Sequence, residues 1–203
     1  IPVLLLVFFS MVDVLPTGTD DPIEFLAPGV LALAVMSTSM VSLGIGTGFE
    51  RTYHVLKRLG TTPLGRGRLI AAKIASVAVV ELVQFAVLVP VAYLLGWSPS
   101  ATNWPAAIGA TLLGTVAFAG IGLGFAGRLR GELNLAALNG LYLLMLLLGG
   151  MIIPFAELPS ALRAVAQALP SGALADVLHD TLGGIGTRAT TSWLVLGGWA
   201  LTT

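Results

Sequence analysis

Cysteine is absent from the 203 residues. That excludes a disulfide framework, a thiolate metal site and a cysteine nucleophile. Charge is scarce: 10% of the residues are Asp, Glu, Lys or Arg, against about 25% in a soluble domain. Hydrophobic residues make up 56% and the mean hydropathy is +0.95, more apolar surface than a water-soluble core of this length hides. The expected solvent is a bilayer, where each spanning helix needs about 20 apolar residues. Net charge is zero, so charge gives no reason to expect a nucleic-acid partner. Also missing are a Walker A phosphate loop, a Gly-x-Ser-x-Gly elbow and a His-Glu-x-x-His pair, so neither an ATPase nor an intramembrane hydrolase has a visible catalytic set. Lysine occurs only as Lys57 and Lys73, beside eight arginines, a usage in keeping with a GC-rich bacterial genome.

What is present is a succession of apolar runs. They predict an all-α polytopic membrane protein with six spans at about 1–12, 25–48, 70–95, 104–127, 133–153 and 189–203. The first and last runs meet the chain ends, so the chain is expected to be a fragment truncated within its outer spans. The first run has neither a basic flank nor a small-residue cleavage pattern and is read as a span rather than a signal peptide. Residues 74–127 carry a single charge, Glu81, yet are too long for one crossing at about 1.5 Å per residue. Gly96, Pro99 and Pro105 break the run, and Trp97 and Trp104 mark a membrane boundary there.

Basic residues give an orientation. Arg51, Lys57, Arg58, Arg66, Arg68 and Lys73 lie between spans two and three, and Arg128 and Arg130 between spans four and five. The alternate loops hold Asp13, Asp20, Asp21 and Glu24, and a mixed 157–188 segment. The positive-inside bias puts the basic loops and both termini in the cytoplasm.

The basic island at about 50–60 reads as an amphipathic helix. Phe49, Tyr53, Leu56 and Gly60 share one face, with Arg51, Lys57 and Arg58 on the other. Glu50 suits its amino end and Gly60 and Pro63 end it. An apolar stripe with basic flanks serves either anionic headgroups or a partner's groove.

Glu81 is the one ionisable residue deep in a run, with Gln84 three residues on along the same face. A carboxylate in hydrocarbon costs about 2.5–3.5 kcal/mol on insertion scales, so it is expected to face the bundle, as a polar pathway lining, a proton site or a structural hydrogen bond. Gly44-x-Gly46-x-Gly48 and the Gly120, Gly122, Gly124, Gly127 series are read as small residues that let helices approach. Asp176, His179 and Asp180 are read as solvated surface in a loop rather than a metal site. Leu158, Leu162, Val165 and Leu169 form a stripe over 157–180, between Pro159 and Pro170.

Two stretches resemble a known family. Glu50-Arg51-x-x-x-x-Leu56-Lys57-Arg58-Leu59-x-x-x-Pro63 is similar to the cytoplasmic loop of ABC-2 type transporter permeases. Gly149-Gly150-Met151-Ile152-Ile153-Pro154-Phe155-Ala156-Glu157-Leu158-Pro159, continuing to Ala168-Leu169-Pro170, resembles the segment after that family's fifth span. Spacing and topology agree over essentially the whole chain, although the family's amphipathic helix before span one has no counterpart.

The resemblance implies a permease without its own ATPase site, in the bacterial plasma membrane. Two permeases, identical or not, would pair with two ATP- and Mg-binding ABC ATPase subunits. Glu50, Arg51, Tyr53, Leu56, Lys57 and Arg58 would form a coupling helix against the ATPase. Residues 157–180 would be short extracellular helices dipping back to cap the exit, framed by Pro154, Pro159 and Pro170. The cargo would be an amphiphilic or apolar molecule (drug, lipid or lipid-linked glycan), exported along faces of spans one, two and five. Rival expectations are a proton-coupled secondary transporter using Glu81, and a membrane enzyme or scaffold.

Overall fold

The computed structural model describes residues 2–11, 22–55, 65–99, 103–184 and 189–203. Its helices run in the order α1 (Pro2–Met11), α2 (Pro22–Met36), a π-helical stretch (Ser37–Ser42), α3 (Leu43–Thr52), α4 (Arg66–Leu94), α5 (Trp104–Arg128) and α6 (Gly131–Leu148). A 3₁₀ turn (Phe155–Glu157), α7 (Ser160–Ala168), α8 (Pro170–Gly183) and α9 (Ala189–Thr202) complete the order. No strand occurs among the described residues. Hydrocarbon offers no water to backbone N–H and C=O groups, so an open chain crosses it as helix.

Among the described residues four helices are long and apolar enough to span: the continuous α2–π–α3 rod at Pro22–Thr52, then Gly67–Leu94, Trp104–Arg128 and Gly131–Leu148. They stand at the second to fifth expected spans. Helices α1 and α9 occupy the places of the first and sixth, with 10 and 14 residues, each shorter than a crossing. Arg51 reaches the last turn of α5 and Glu50 reaches Lys73 of α4, so the basic loops share one end of the bundle. At the opposite end Trp97 packs edge-on to Trp104 with ring centroids 6.4 Å apart. There too the Asn103 N–H donates to the Thr181 carbonyl at 2.9 Å, and the Asn103 side chain caps α5 by accepting from the Ala106 N–H.

Burial is concentrated in α2 and α8. Thirteen of the fifteen residues of α2 and twelve of the fourteen of α8 are buried; that suits the almost wholly apolar α2, whereas α8 also buries Ser171, Asp176, His179 and Thr181. Leaving lipid for protein gives apolar side chains little hydrophobic gain, so close packing holds these helices. A Cβ on Gly122 would lie 2.6 Å from the Met40 carbonyl oxygen, and one on Gly44 would lie 2.9 Å from the Gly122 Cα. Backbone therefore meets backbone where α5 crosses the π stretch and α3. The glycines do permit close contact, but through Gly44, Gly48 and Gly122, and through Gly120 against Thr203; Gly46, Gly124 and Gly127 face open space.

At 14 residues, α8 is about 21 Å long and does not cross a core of about 30 Å. Pro170 opens it, and Gly184 closes it in the left-handed region at φ 65°. It lies against α2, α5 and α9. The expectation of a solvated Asp176–His179 surface is therefore corrected: both residues are buried. Asp176 accepts from the Ser192 hydroxyl at 2.7 Å. His179 stacks on Phe25 at 4.4 Å and its ring nitrogens face the carbonyl oxygens of Ala175 and Phe25 at 2.7 and 2.9 Å. Burial pushes its pKa below the usual value, while those carbonyls and Asp176 pull against the shift. Among the described residues no three metal-ligating side chains gather.

Candidate functional site at the basic end

The site begins where the α2–α3 rod stops. Thr52 is its last helical residue, Tyr53 N–H still donates to the Phe49 carbonyl at 2.9 Å, and His54 then takes a left-handed φ of 59°. Such φ values are uncommon outside glycine but enriched in His. Glu50, Arg51 and Tyr53, expected on a separate helix, thus belong to the end of a span. Leu56, Lys57 and Arg58 lie outside the described residues.

Each of the last residues of α3 has its own partner. Glu50 Oε2 lies 2.5 Å from Lys73 Nζ, one and a half to two turns into α4. Arg51 Nη1 donates to the carbonyl oxygens of Ala126 at 3.1 Å and Gly127 at 2.5 Å. These belong to the last turn of α5, where carbonyls lack intrahelical donors and the helix dipole is negative. Phe49 and Thr52 sit over the first turn of α6, where a Cβ on Gly131 would meet Thr52 Oγ1 at 2.9 Å. One turn further into α6, the buried Asn134 Nδ2 donates to the Gly44 carbonyl at 2.9 Å. The Tyr53 ring stacks on Phe49 with centroids 6.1 Å apart and stays 68% exposed.

A groove of about 250 Å³ leads inward from the Glu50–Lys73 pair between the rod and α4, past Ser42, Thr47 and Ser76 to Thr38. There Thr38 Oγ1 donates to Gln84 Oε1 at 3.0 Å. Glu81, 3% exposed, faces α5 and accepts from Thr115 Oγ1 at 2.6 Å through Oε2; its Oε1 has no partner among the described residues. Glu81 and Gln84 are therefore neighbours on α4 that bond to different helices.

Pro154, Pro159 and Pro170 are spread along the return from α6. Pro154 precedes the 3₁₀ turn, Pro159 precedes α7, and Pro170 is buried at the start of α8. Arg163 Nη2 binds the carbonyls of Ala156 and Leu158 at 2.7 and 3.1 Å, which folds the turn onto α7. Leu162 and Val165 of the apolar stripe remain exposed.

Lys73, Asn134 and the carbonyls of Ala126 and Gly127 were not legible as partners. Asn134 carries the one usable signal, an amide inside an apolar run.

A sequence model of the ABC-2 type transporter family matches residues 2–181. Comparisons with curated proteins and with solved structures returned no match. The matched segment contains all four long apolar helices, the basic end and most of α8, and the chain belongs to the ABC-2 type transporter family.

Proposed function

We propose that this membrane permease of an ABC transporter exports an amphiphilic or apolar molecule, driven by a separate ATPase that docks on the segment leaving α3. The observation that carries the docking is the construction of the basic end. Tyr53 and Val55 are exposed at the tip of a rod whose last turn is tied to α4, α5 and α6. These 203 residues contain no Walker A sequence, and on this reading the partner holds the nucleotide and its Mg. Movement of that partner on ATP binding turns the rod as a rigid body and changes access across the membrane. The basic end faces the cytoplasm of a bacterial cell and α8 re-enters from outside. Because α2 is enclosed, the apolar cargo passes along exposed faces such as Leu133, Leu143, Leu144 and Leu147 of α6, where a second permease copy faces it.

The test is copurification of the neighbouring ATPase with the full-length permease and with its Leu56→Ala/Arg58→Ala double variant. The double variant is expected to insert normally and lose the ATPase. Undiminished copurification contradicts the docking segment.

The Oε1 of Glu81, without a partner among the described residues, favours a second reading, proton-coupled transport. It requires uptake or efflux in proteoliposomes under a pH gradient with no ATPase present, lost in Glu81→Gln.

A further inference from the structure

We infer that Glu50 and Arg51 are positioning residues that bind the root of the docking segment to two neighbouring spans, and are not the surface that touches the ATPase. The inference rests on the docking reading and departs from the contact role that family resemblance gives these two residues. Successive residues on a helix point about 100° apart, so neighbours in sequence reach different helices. Glu50 reaches α4 through Lys73 at 2.5 Å, and Arg51 reaches α5 through two carbonyl oxygens of its last turn. The Lys73 side chain is 16% exposed and that of Glu50 36%. Solvent screening of this pair is weaker than at an open surface.

The arrangement has a third side. Asn134 of α6 grips the Gly44 carbonyl two turns below, and its amide fills the space where a Gly48 side chain would be. The end of α3 is thereby held by α4, α5 and α6 together. A segment attached to the membrane domain by one flexible turn would swivel under the ATPase and pass little motion inward. Fixed on three helices, the same displacement moves them as a unit, which is what rigid-body coupling needs. The Glu50 carboxylate and Arg51 Nη1 are engaged within the chain, whereas Tyr53 is turned outward.

The experiment uses the full-length permease with its ATPase in liposomes. The 203 residues contain no cysteine, so once any cysteine elsewhere in the full-length permease is replaced, a single Leu94→Cys at the far end of α4, where Leu94 is 87% exposed, reports motion there by its rate of maleimide labelling. Wild type is expected to change that rate on addition of ATP and vanadate. Glu50→Gln, Arg51→Gln and Lys73→Met are expected to keep the ATPase at wild-type stoichiometry and to lose about fivefold or more of the ATP-dependent change. The charge exchange Glu50→Lys/Lys73→Glu is expected to restore it, and it keeps the test open should a single variant fold poorly. Loss of the ATPase from Glu50→Gln or Arg51→Gln overturns the inference, because contact residues behave that way. So does an undiminished labelling response, or an exchange variant that is no better than its parents. A wild-type permease that binds no ATPase overturns the docking reading itself, and the inference with it.

Discussion

Asn134 donates its side-chain amide to the backbone carbonyl of Gly44 at 2.9 Å, across the buried contact between α6 and α3. An amide in that position satisfies a carbonyl of the α2–α3 rod and fills the space left by Gly48. Hydrogen bonds between membrane helices average about 0.6 kcal/mol and reach about 1.7. Asn134→Ala is therefore expected to lower the thermal stability of the detergent-solubilised protein by an amount in that range. Asn134→Leu, bulkier on its branched side, is expected to cost at least as much. Unchanged melting in both would show that the contact holds nothing.

The glycine crossing makes a paired forecast. Gly122→Ala places a methyl 2.6 Å from the Met40 carbonyl oxygen, which is backbone and cannot swing away. A loss of about 1–3 kcal/mol is expected from such overpacking. Gly124, two residues along the same helix, has nothing within 4 Å of its missing Cβ, so Gly124→Ala should be neutral or gain up to about 1 kcal/mol from helix propensity. Equal effects of the two substitutions, read as melting temperatures, would argue against this register of α5 on α3.

Glu81 and Thr115 separate structure from transport. Thr115→Val removes the hydroxyl donor of a 2.6 Å bond inside the bundle and is expected to destabilise by about 1–3 kcal/mol, because it leaves a buried acceptor unmet. Glu81→Gln keeps an oxygen for the Thr115 hydroxyl and should preserve folding and ATP-driven transport. Loss of transport with intact folding in Glu81→Gln would move the balance toward the proton-coupled reading.

Orientation is open to the same single-cysteine labelling. Tyr53→Cys and Glu132→Cys lie at the basic end and Ser98→Cys at the other, all at exposed positions. In intact cells a membrane-impermeant maleimide is expected to label Ser98→Cys and to reach the other two only after permeabilisation. The reverse pattern would invert the direction of the bundle and contradict a cytoplasmic docking segment.

The four long helices are legible in the sequence because a bilayer imposes a length on every charge-free run, and Gly96, Pro99 and Asn103 mark the turn between α4 and α5. Family membership is legible in the Glu50–Pro63 and Gly149–Pro170 stretches. The partners at the basic end are not. Arg51 binds carbonyl oxygens, which every residue carries, and Glu50 finds a lysine 23 positions on with no periodic signal to join them. The π stretch at Ser37–Ser42 also escapes: it packs against α5, and no spacing of its own residues marks a widened turn. His179 and Asp176 illustrate a further limit. Charge in a short segment suggests solvent until Phe25 and Ser192, distant in sequence, supply the buried partners.

The basic segment after α3 meets either a protein or the headgroups of the membrane, and one measurement separates these most directly. A photo-crosslinking residue replaces Tyr53 in the full-length permease, and adducts formed in intact cells are identified by mass spectrometry. An adduct with a Walker A protein, reduced by Leu56→Ala/Arg58→Ala, is the result expected of an ATPase-driven permease. Adducts with lipid alone, from a permease shown to be inserted and folded, would contradict it.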